Sequence, residues 1–261
     1  MTDDVGRAYE KAQKVRIEER PATRDELSSL STNWKDPQIP DLQRTVVNVQ
    51  LENLRAGKID PVFVSLISIL KKVDTNSFTL LDAACASGYY HEVIKTLDSR
   101  NIEYHGCDYS EEMVKTAKAH YPEIDFQVQD LTSLAYADSR FDVVLMSGVL
   151  EHIPSYEKCI HEVCRIAKRN VIVHRCPLTS EKANEFTIGS QYSIETPRIF
   201  FAQKRLLDDF RTNGFVFQDM VSTYPTPEIS FSQRLKAVLK QSLGMKLDKQ
   251  RTVNTLLFRR I

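Results

Sequence analysis

Three acids stand at the ends of successive apolar runs: Asp82 after Leu80-Leu81, Asp108 after Gly106-Cys107, and Asp130 after the run that ends at Val128. A carboxylate accepts hydrogen bonds from neighbouring hydroxyls or from an exocyclic amine. A nucleoside presents both kinds of donor. Asp108 follows Asp82 near the interval of roughly 20 residues at which an acid on a second strand reaches a ribose diol. Met113, one helical turn beyond Ser110, is placed to lie against the base, and Asp130 with Leu131 to bracket its edge. The stretch Ala83-Ala84-Cys85-Ala86-Ser87-Gly88 carries little side-chain bulk, so backbone N–H groups at the following helix start stay open to a ligand. Each acid alone reads equally well as a helix cap or a solvated loop acid. Together, in register over three repeats of one pattern, they read as a nucleoside pocket.

The elements that must position them follow from periodicity. Apolar runs predict strands at 78–82, 103–108, 124–128, 141–146 and 170–174, separated by helical stretches at 90–99, 111–119 and 156–167. The run Phe141-Asp142-Val143-Val144-Leu145-Met146 is nearly continuous in apolar residues, as in a strand covered on both faces. This alternation implies an α/β fold with a doubly wound, mostly parallel sheet and right-handed crossovers. Upstream, a helix is predicted over 41–56 with Leu42, Val46, Val49 and Leu54 as its apolar stripe, ended by Gly57. Another begins at Asp60-Pro61, an N-cap followed by proline. Residues 1–74 are read as an N-terminal helical arm and cap, and 75–261 as the core. An irregular insertion is expected at 177–203 and a helical one at 226–250. A further helix near 204–213 ends at Asn213-Gly214, and two late apolar runs cover 215–221 and 252–258.

The chain resembles the class I S-adenosylmethionine-dependent methyltransferases over residues 75–175, less than half of its length. Leu81-Asp82-Ala83-Ala84-Cys85-Ala86-Ser87-Gly88 is similar to the family's first motif and Gly106-Cys107-Asp108-Tyr109-Ser110 to the second. Asp130-Leu131 resembles the third, and Phe141 through Ile153 the fourth. The resemblance implies a seven-stranded sheet in the order 3-2-1-4-5-7-6 with the last strand antiparallel. It implies S-adenosyl-L-methionine as cofactor, with S-adenosyl-L-homocysteine as product. The implied cofactor contacts are Asp82, Ala83, Ala84, Ala86, Gly88, Asp108, Tyr109, Met113, Asp130, Leu131, Ser147 and Gly148, with Arg44 as a partner for the methionine carboxylate. His152, after the fourth strand, and His174, after the fifth, are the candidate bases. Trp34, Tyr90, Arg175 and Tyr192 are the candidate acceptor contacts, with Tyr89 and Tyr90 as an aromatic wall for a sulfonium cation. One departure stands out. Ala84 and Ala86 replace two motif glycines, and alanine disfavours positive φ. The turn survives if those positions need negative φ. A pyrophosphate cofactor demands closer backbone approach than this segment offers, which weighs against a dinucleotide-dependent dehydrogenase.

Lys plus Arg and Asp plus Glu are both 35, so no global basic field favours nucleic acid. No apolar stretch reaches the roughly 18–20 residues that span a bilayer, and Met1 to Glu19 lacks a secretory core. The five cysteines are odd in number and show no CxxC pairing, so buried free thiols, no metal and a cytoplasmic location are expected. These features favour a small-molecule acceptor. Two other readings stay open: RNA methylation gripped by the basic stretch 230–249, and a noncatalytic scaffold that keeps the cofactor fold.

Overall fold

The computed structural model describes residues 19–192, 194–222 and 251–261. Most of the charged stretch Asp3 to Arg20, and the whole basic stretch Ser230 to Leu247, lie outside the described residues.

The central strands are β2 (Ser77–Ala83), β3 (Asn101–Asp108), β4 (Asp125–Val128), β5 (Phe141–Ser147) and β6 (Ala167–Thr179). They pair in parallel in the order β4-β3-β2-β5-β6. The sheet continues through β10 (Arg251–Arg260), antiparallel to both β6 and β9 (Phe215–Ser222). In core numbering this is 3-2-1-4-5-7-6. Three more strands extend the sheet beyond the expected seven. They are β1 (Arg20–Pro21), β7 (Glu185–Gln191) and β8 (Ile194–Ala202), ordered β1-β7-β8 and joined to β6 through β8.

Burial on both faces explains the apolar strands. Leu80, Val143, Leu145, Ile172 and Leu257 pack on one side of the sheet; Leu81, Val144, Val171, Val173 and Leu256 pack on the other. The period-two alternation divides one sequence run between two cores. The first face is covered by α2 (Ile39–Arg55), α3 (Pro61–Leu70), α4 (Tyr90–Leu97) and α5 (Glu111–His120). The second is covered by α1 (Arg24–Ser29), α6 (Tyr156–Ile166) and α7 (Gln203–Thr212). Each fully buried Leu or Ile contributes about 1.5–3 kcal/mol relative to exposure.

Three expectations are corrected. Helix α3 is not a cap: Phe63, Leu66, Ile69 and Leu70 are completely buried, and the helix lies on β9, β10 and β6. Its sequence, PVFVSLISIL, is apolar nearly all round, and such a helix belongs inside. The buried stripe of α2 is Ile39, Gln43, Val47, Leu51 and Leu54, while Leu42 is 39% exposed. The segment 177–203 is also regular. After β6 ends at Thr179, β7 and β8 form an antiparallel hairpin in the register Ile188↔Pro197. Pro197 is tolerated because β8 meets β6 only at Phe201 and Ala202, which leaves its other edge at 197 outside a ladder.

Candidate active site

The carboxyl ends of β2, β3 and β5 open into a cavity of about 470 Å³, within the range of small-molecule sites. Its floor begins with the turn after β2. There Ala84 has φ 67°, Ala86 φ 49° and Gly88 φ 74°. The two alanines therefore occupy the left-handed region, contrary to the expectation of negative φ, and each carries a strain of about 1–2 kcal/mol. Backbone ties hold the turn in place. Cys85 N–H donates to the Cys107 carbonyl at 2.9 Å, Gly88 N–H to the Cys85 carbonyl at 2.9 Å, and Ala86 N–H to Asp108 Oδ2 at 2.9 Å. At Gly88 no side chain fits, because a Cβ would stand 2.6 Å from the Phe126 ring.

Asp108 ends β3 and lines the cavity. Its Oδ1 accepts from the Ser110 N–H at 3.0 Å and its Oδ2 from the Ala86 N–H, and the carboxylate faces the cavity. Burial pushes this carboxyl up, opposed by the Ser110 and Ala86 N–H groups. Asp130 accepts from the Thr132 N–H and hydroxyl through Oδ1, both at 2.8 Å. Met113 and Leu131 are buried beside it in the cavity wall. Asp82 lies beneath the floor, completely buried. Tyr104 donates to its Oδ2, while Oδ1 has no hydrogen-bond partner. Burial pushes its pKa up to about 7, with Tyr104 opposing and Asp108 reinforcing the shift.

His152 closes a single 3-10 turn, Leu150–His152, after β5. Its Nδ1 stands 2.6 Å from the Pro197 carbonyl on β8. A carbonyl only accepts, so Nδ1 carries the hydrogen and Nε2 holds the lone pair in the neutral ring. Burial lowers its pKa, with Glu151 opposing, and the neutral form prevails at pH 7. Glu151 Oε1 lies 3.9 Å from Nε2. Trp34 covers the ring with centroids 4.7 Å apart and meets Tyr192 at 6.2 Å. Tyr90 and Tyr89 stand against each other at 4.3 Å and form another wall, next to Ser147 and Gly148.

The cavity brings together Trp34, Ala84, Ala86, Tyr90, Asp108, Tyr109, Met113, Asp130, Leu131, Ser147, Gly148, His152, Arg175 and Tyr192. It does not include His174, Arg44, Asp82, Ala83 or Gly88. His174 is completely buried on the α3 side of β6, where Nδ1 meets Thr255 Oγ1 at 2.7 Å. His174 does not line the cavity, whereas Arg175 does, so the two do not share a rim. Arg44 lies over the Tyr121 ring at 5.8 Å, away from any methionine carboxylate site in this cavity. Asp82, Ala83 and Gly88 shape the turn from below.

Sequence reasoning missed Gln43, Ser31, Thr32 and Lys35, all of which line the cavity. Gln43 had a readable signal, as a polar residue on the buried 43–47–51 stripe of α2. Its Oε1 and the Trp34 Nε1 are buried without hydrogen-bond partners, as expected of groups that await a ligand. Among the described residues, no group of three His, Cys, Asp or Glu is placed to hold a metal, and no helix is long and apolar enough to cross a membrane. All five cysteines are buried free thiols.

Residues 81–174 match the family described as Methyltransferase domain. An uncharacterized protein of Methanocaldococcus jannaschii is 25% identical over 211 residues, which cover 78% of this chain and 81% of that one. A probable S-adenosylmethionine-dependent methyltransferase of Mycolicibacterium smegmatis is 32% identical over 89 residues, 34% of each chain. Magnesium protoporphyrin IX methyltransferase of Synechocystis PCC 6803, solved with S-adenosylmethionine bound, shares the fold with a TM-score of 0.51 at 16% identity. That match covers 91% of this chain and 95% of that one. The matched segment, residues 81–174, is similar to the methyltransferase-domain family, and the sheet order and the acid-tipped strands agree with that likeness.

Proposed function

We propose that the chain transfers the methyl group of S-adenosylmethionine to an oxygen or nitrogen of a small-molecule acceptor, with His152 removing the acceptor proton. The observation that carries this reading is the tautomer of His152. Its Nδ1 hydrogen is committed to the Pro197 carbonyl, so a basic Nε2 lies in the wall of the cavity that Asp108 and the Ala84–Ala86 turn also line.

The donor set fits the cofactor. Asp108 is suited to a ribose diol, Asp130 and Leu131 to a base edge, and Met113 to a base face. The Ala84–Ala86 backbone would border the amino-acid end. When bound, the cofactor supplies an electrophilic methyl on a sulfonium. The residues of the chain then align and deprotonate the acceptor, and alignment alone accounts for a large part of the barrier in such displacements. As His152 takes the proton, the Glu151 carboxylate 3.9 Å from Nε2 stabilises the imidazolium. Trp34 covers the ring, with Tyr192 standing against Trp34, and together they limit water access. The size of the cavity, with residues 28–35 in its wall, favours a small acceptor over a nucleic acid.

The test is labelled methyl transfer across an acceptor library, run with the wild type and His152→Gln. One acceptor class should be labelled, and the variant should lose on the order of 10²–10⁴ in turnover with S-adenosylhomocysteine affinity retained. Failure to bind S-adenosylhomocysteine at millimolar concentration would sink the enzyme reading. Equal turnover in the variant would remove His152 from the chemistry.

A further inference from the structure

A β-bulge interrupts the fifth core strand at two of its residues. On β6, His174 and Arg175 together face the single residue Thr255 of β10, between the pairs Val173↔Leu256 and Cys176↔Asn254. Arg175 has φ 58°, the left-handed conformation that an arginine seldom adopts. Bulges re-aim side chains next to functional sites, and here the residue that carries the strain is the one in the cavity wall. Without the bulge, strand alternation would leave Arg175 on the Val173 side of the sheet, in the apolar core beneath α6.

The redirected guanidinium has no counter-charge. It is half-buried, and among the described residues it forms no salt bridge and no side-chain hydrogen bond. Glu151 acts on it only at a distance, being next to His152 Nε2. The guanidinium packs against Gly148, where an added Cβ would come 3.4 Å from Arg175 Cζ. Tyr89, Tyr90 and Tyr192 surround it. Every other cationic side chain that borders this cavity has a partner or lies at its mouth: Lys35 sits over the Tyr109 ring at 5.0 Å.

We infer that the acceptor carries a carboxylate, held by Arg175, on a planar or apolar body flanked by Trp34, Tyr90 and Tyr192. This rests on the methyltransferase reading and deepens it by naming the substrate class. A guanidinium fork matches a carboxylate in two parallel hydrogen bonds. The nearby acids Asp108, Asp130 and Glu151 disfavour a doubly charged phosphate and leave a monoanion as the better fit. The cation and the His152 base line one cavity, so an acid anchored at Arg175 presents the rest of its body toward Nε2.

Calorimetry on the full chain saturated with S-adenosylhomocysteine tests this. The probes are benzoate, phenylacetate, indole-3-acetate and octanoate, each paired with its primary amide. At least one acid should bind ten-fold more tightly than its amide. Arg175→Met should abolish that preference, Arg175→Lys should keep part of it, and S-adenosylhomocysteine affinity should stay within two-fold in both. The acid–amide comparison on the wild type needs no variant, so a variant that fails to fold does not rescue the idea. Absence of any acid preference overturns the inference, as does a preference that survives Arg175→Met. A ten-fold loss of S-adenosylhomocysteine affinity in Arg175→Met also overturns it, because the arginine would then serve the cofactor's own carboxylate. If the wild type binds no S-adenosylhomocysteine, the methyltransferase reading fails by itself, and the same comparison on the free protein still decides the role of Arg175.

Discussion

The two alanines of the turn after β2 give a prediction that is independent of function. Ala84 and Ala86 hold φ 67° and 49°, and an L-residue there carries about 1–2 kcal/mol of strain that glycine avoids. Glycine also gains freedom in the unfolded chain, which costs about 0.5–1 kcal/mol. The difference leaves a net gain of between about 0 and 1.5 kcal/mol for Ala84→Gly and for Ala86→Gly. Both side chains are only partly buried, so little packing is lost. Ala83 is the control. It is completely buried at the end of β2 and lies outside the left-handed region, so Ala83→Gly should lose about 1–2 kcal/mol through entropy and one lost methyl. Urea denaturation followed by far-ultraviolet circular dichroism resolves these differences. A gain of 1 kcal/mol should raise Tm by about 2–4 °C. If Ala86→Gly loses stability as Ala83→Gly does, the strain assigned to the turn is wrong.

Other outcomes follow from the same geometry. Asp108→Ala should weaken S-adenosylhomocysteine binding by about 1.5–3 kcal/mol, the scale of a hydrogen bond to a charged group, and an unchanged Kd by calorimetry would remove it from the ribose site. Gly88→Ala drives a Cβ to 2.6 Å from the Phe126 ring at positive φ and should cost more than about 1 kcal/mol in the same urea assay. The His152 ring titrates below its ordinary value of 6.5 because of burial, so turnover should be flat above pH 7 and fall on acidification. That acid limb should vanish in His152→Gln, and its persistence would assign it to another group. The same shift carries a stability consequence. The unfolded ring binds a proton below pH 6.5 before the native ring does, so this contribution to stability is present above 6.5 and lost as pH falls towards the native value.

Strands β2, β5 and β6 were legible as the apolar runs that two-sided burial demands, β3 and β4 as shorter runs ended or followed by an acid, and β9 and β10 as the late apolar runs at 215–221 and 252–258. The β7–β8 hairpin was not, because Gly189 and Pro197 sit inside its strands and read as loop residues. The face of α2 was misread because Leu42 and Val46 compete with Gln43 and Val47 for the stripe, and only packing on the sheet decides between them. His174 was misassigned for a deeper reason. The bulge at Arg175 changes which residues of β6 face the cavity, and it is set by pairing with Thr255, some eighty positions away in the chain.

The segment 24–33 is held by hydrogen bonds to three separate places, by the ion pair of Arg24 with Glu157, and by Leu27, which is completely buried in the core. Arg24 Nε donates to the Pro154 carbonyl at 2.7 Å, Tyr109 donates its hydroxyl to the Ser31 carbonyl at 2.8 Å, and Asn33 donates to the Glu195 carbonyl at 2.9 Å. Burial of Leu27 contributes about 1.5–3 kcal/mol beyond these bonds, so the segment is a fixed wall of the cavity rather than a freely opening one. Since Tyr109 adjoins Asp108 in the cavity wall, its bond to the Ser31 carbonyl couples this segment directly to the end of β3, and a change at either is felt at the other.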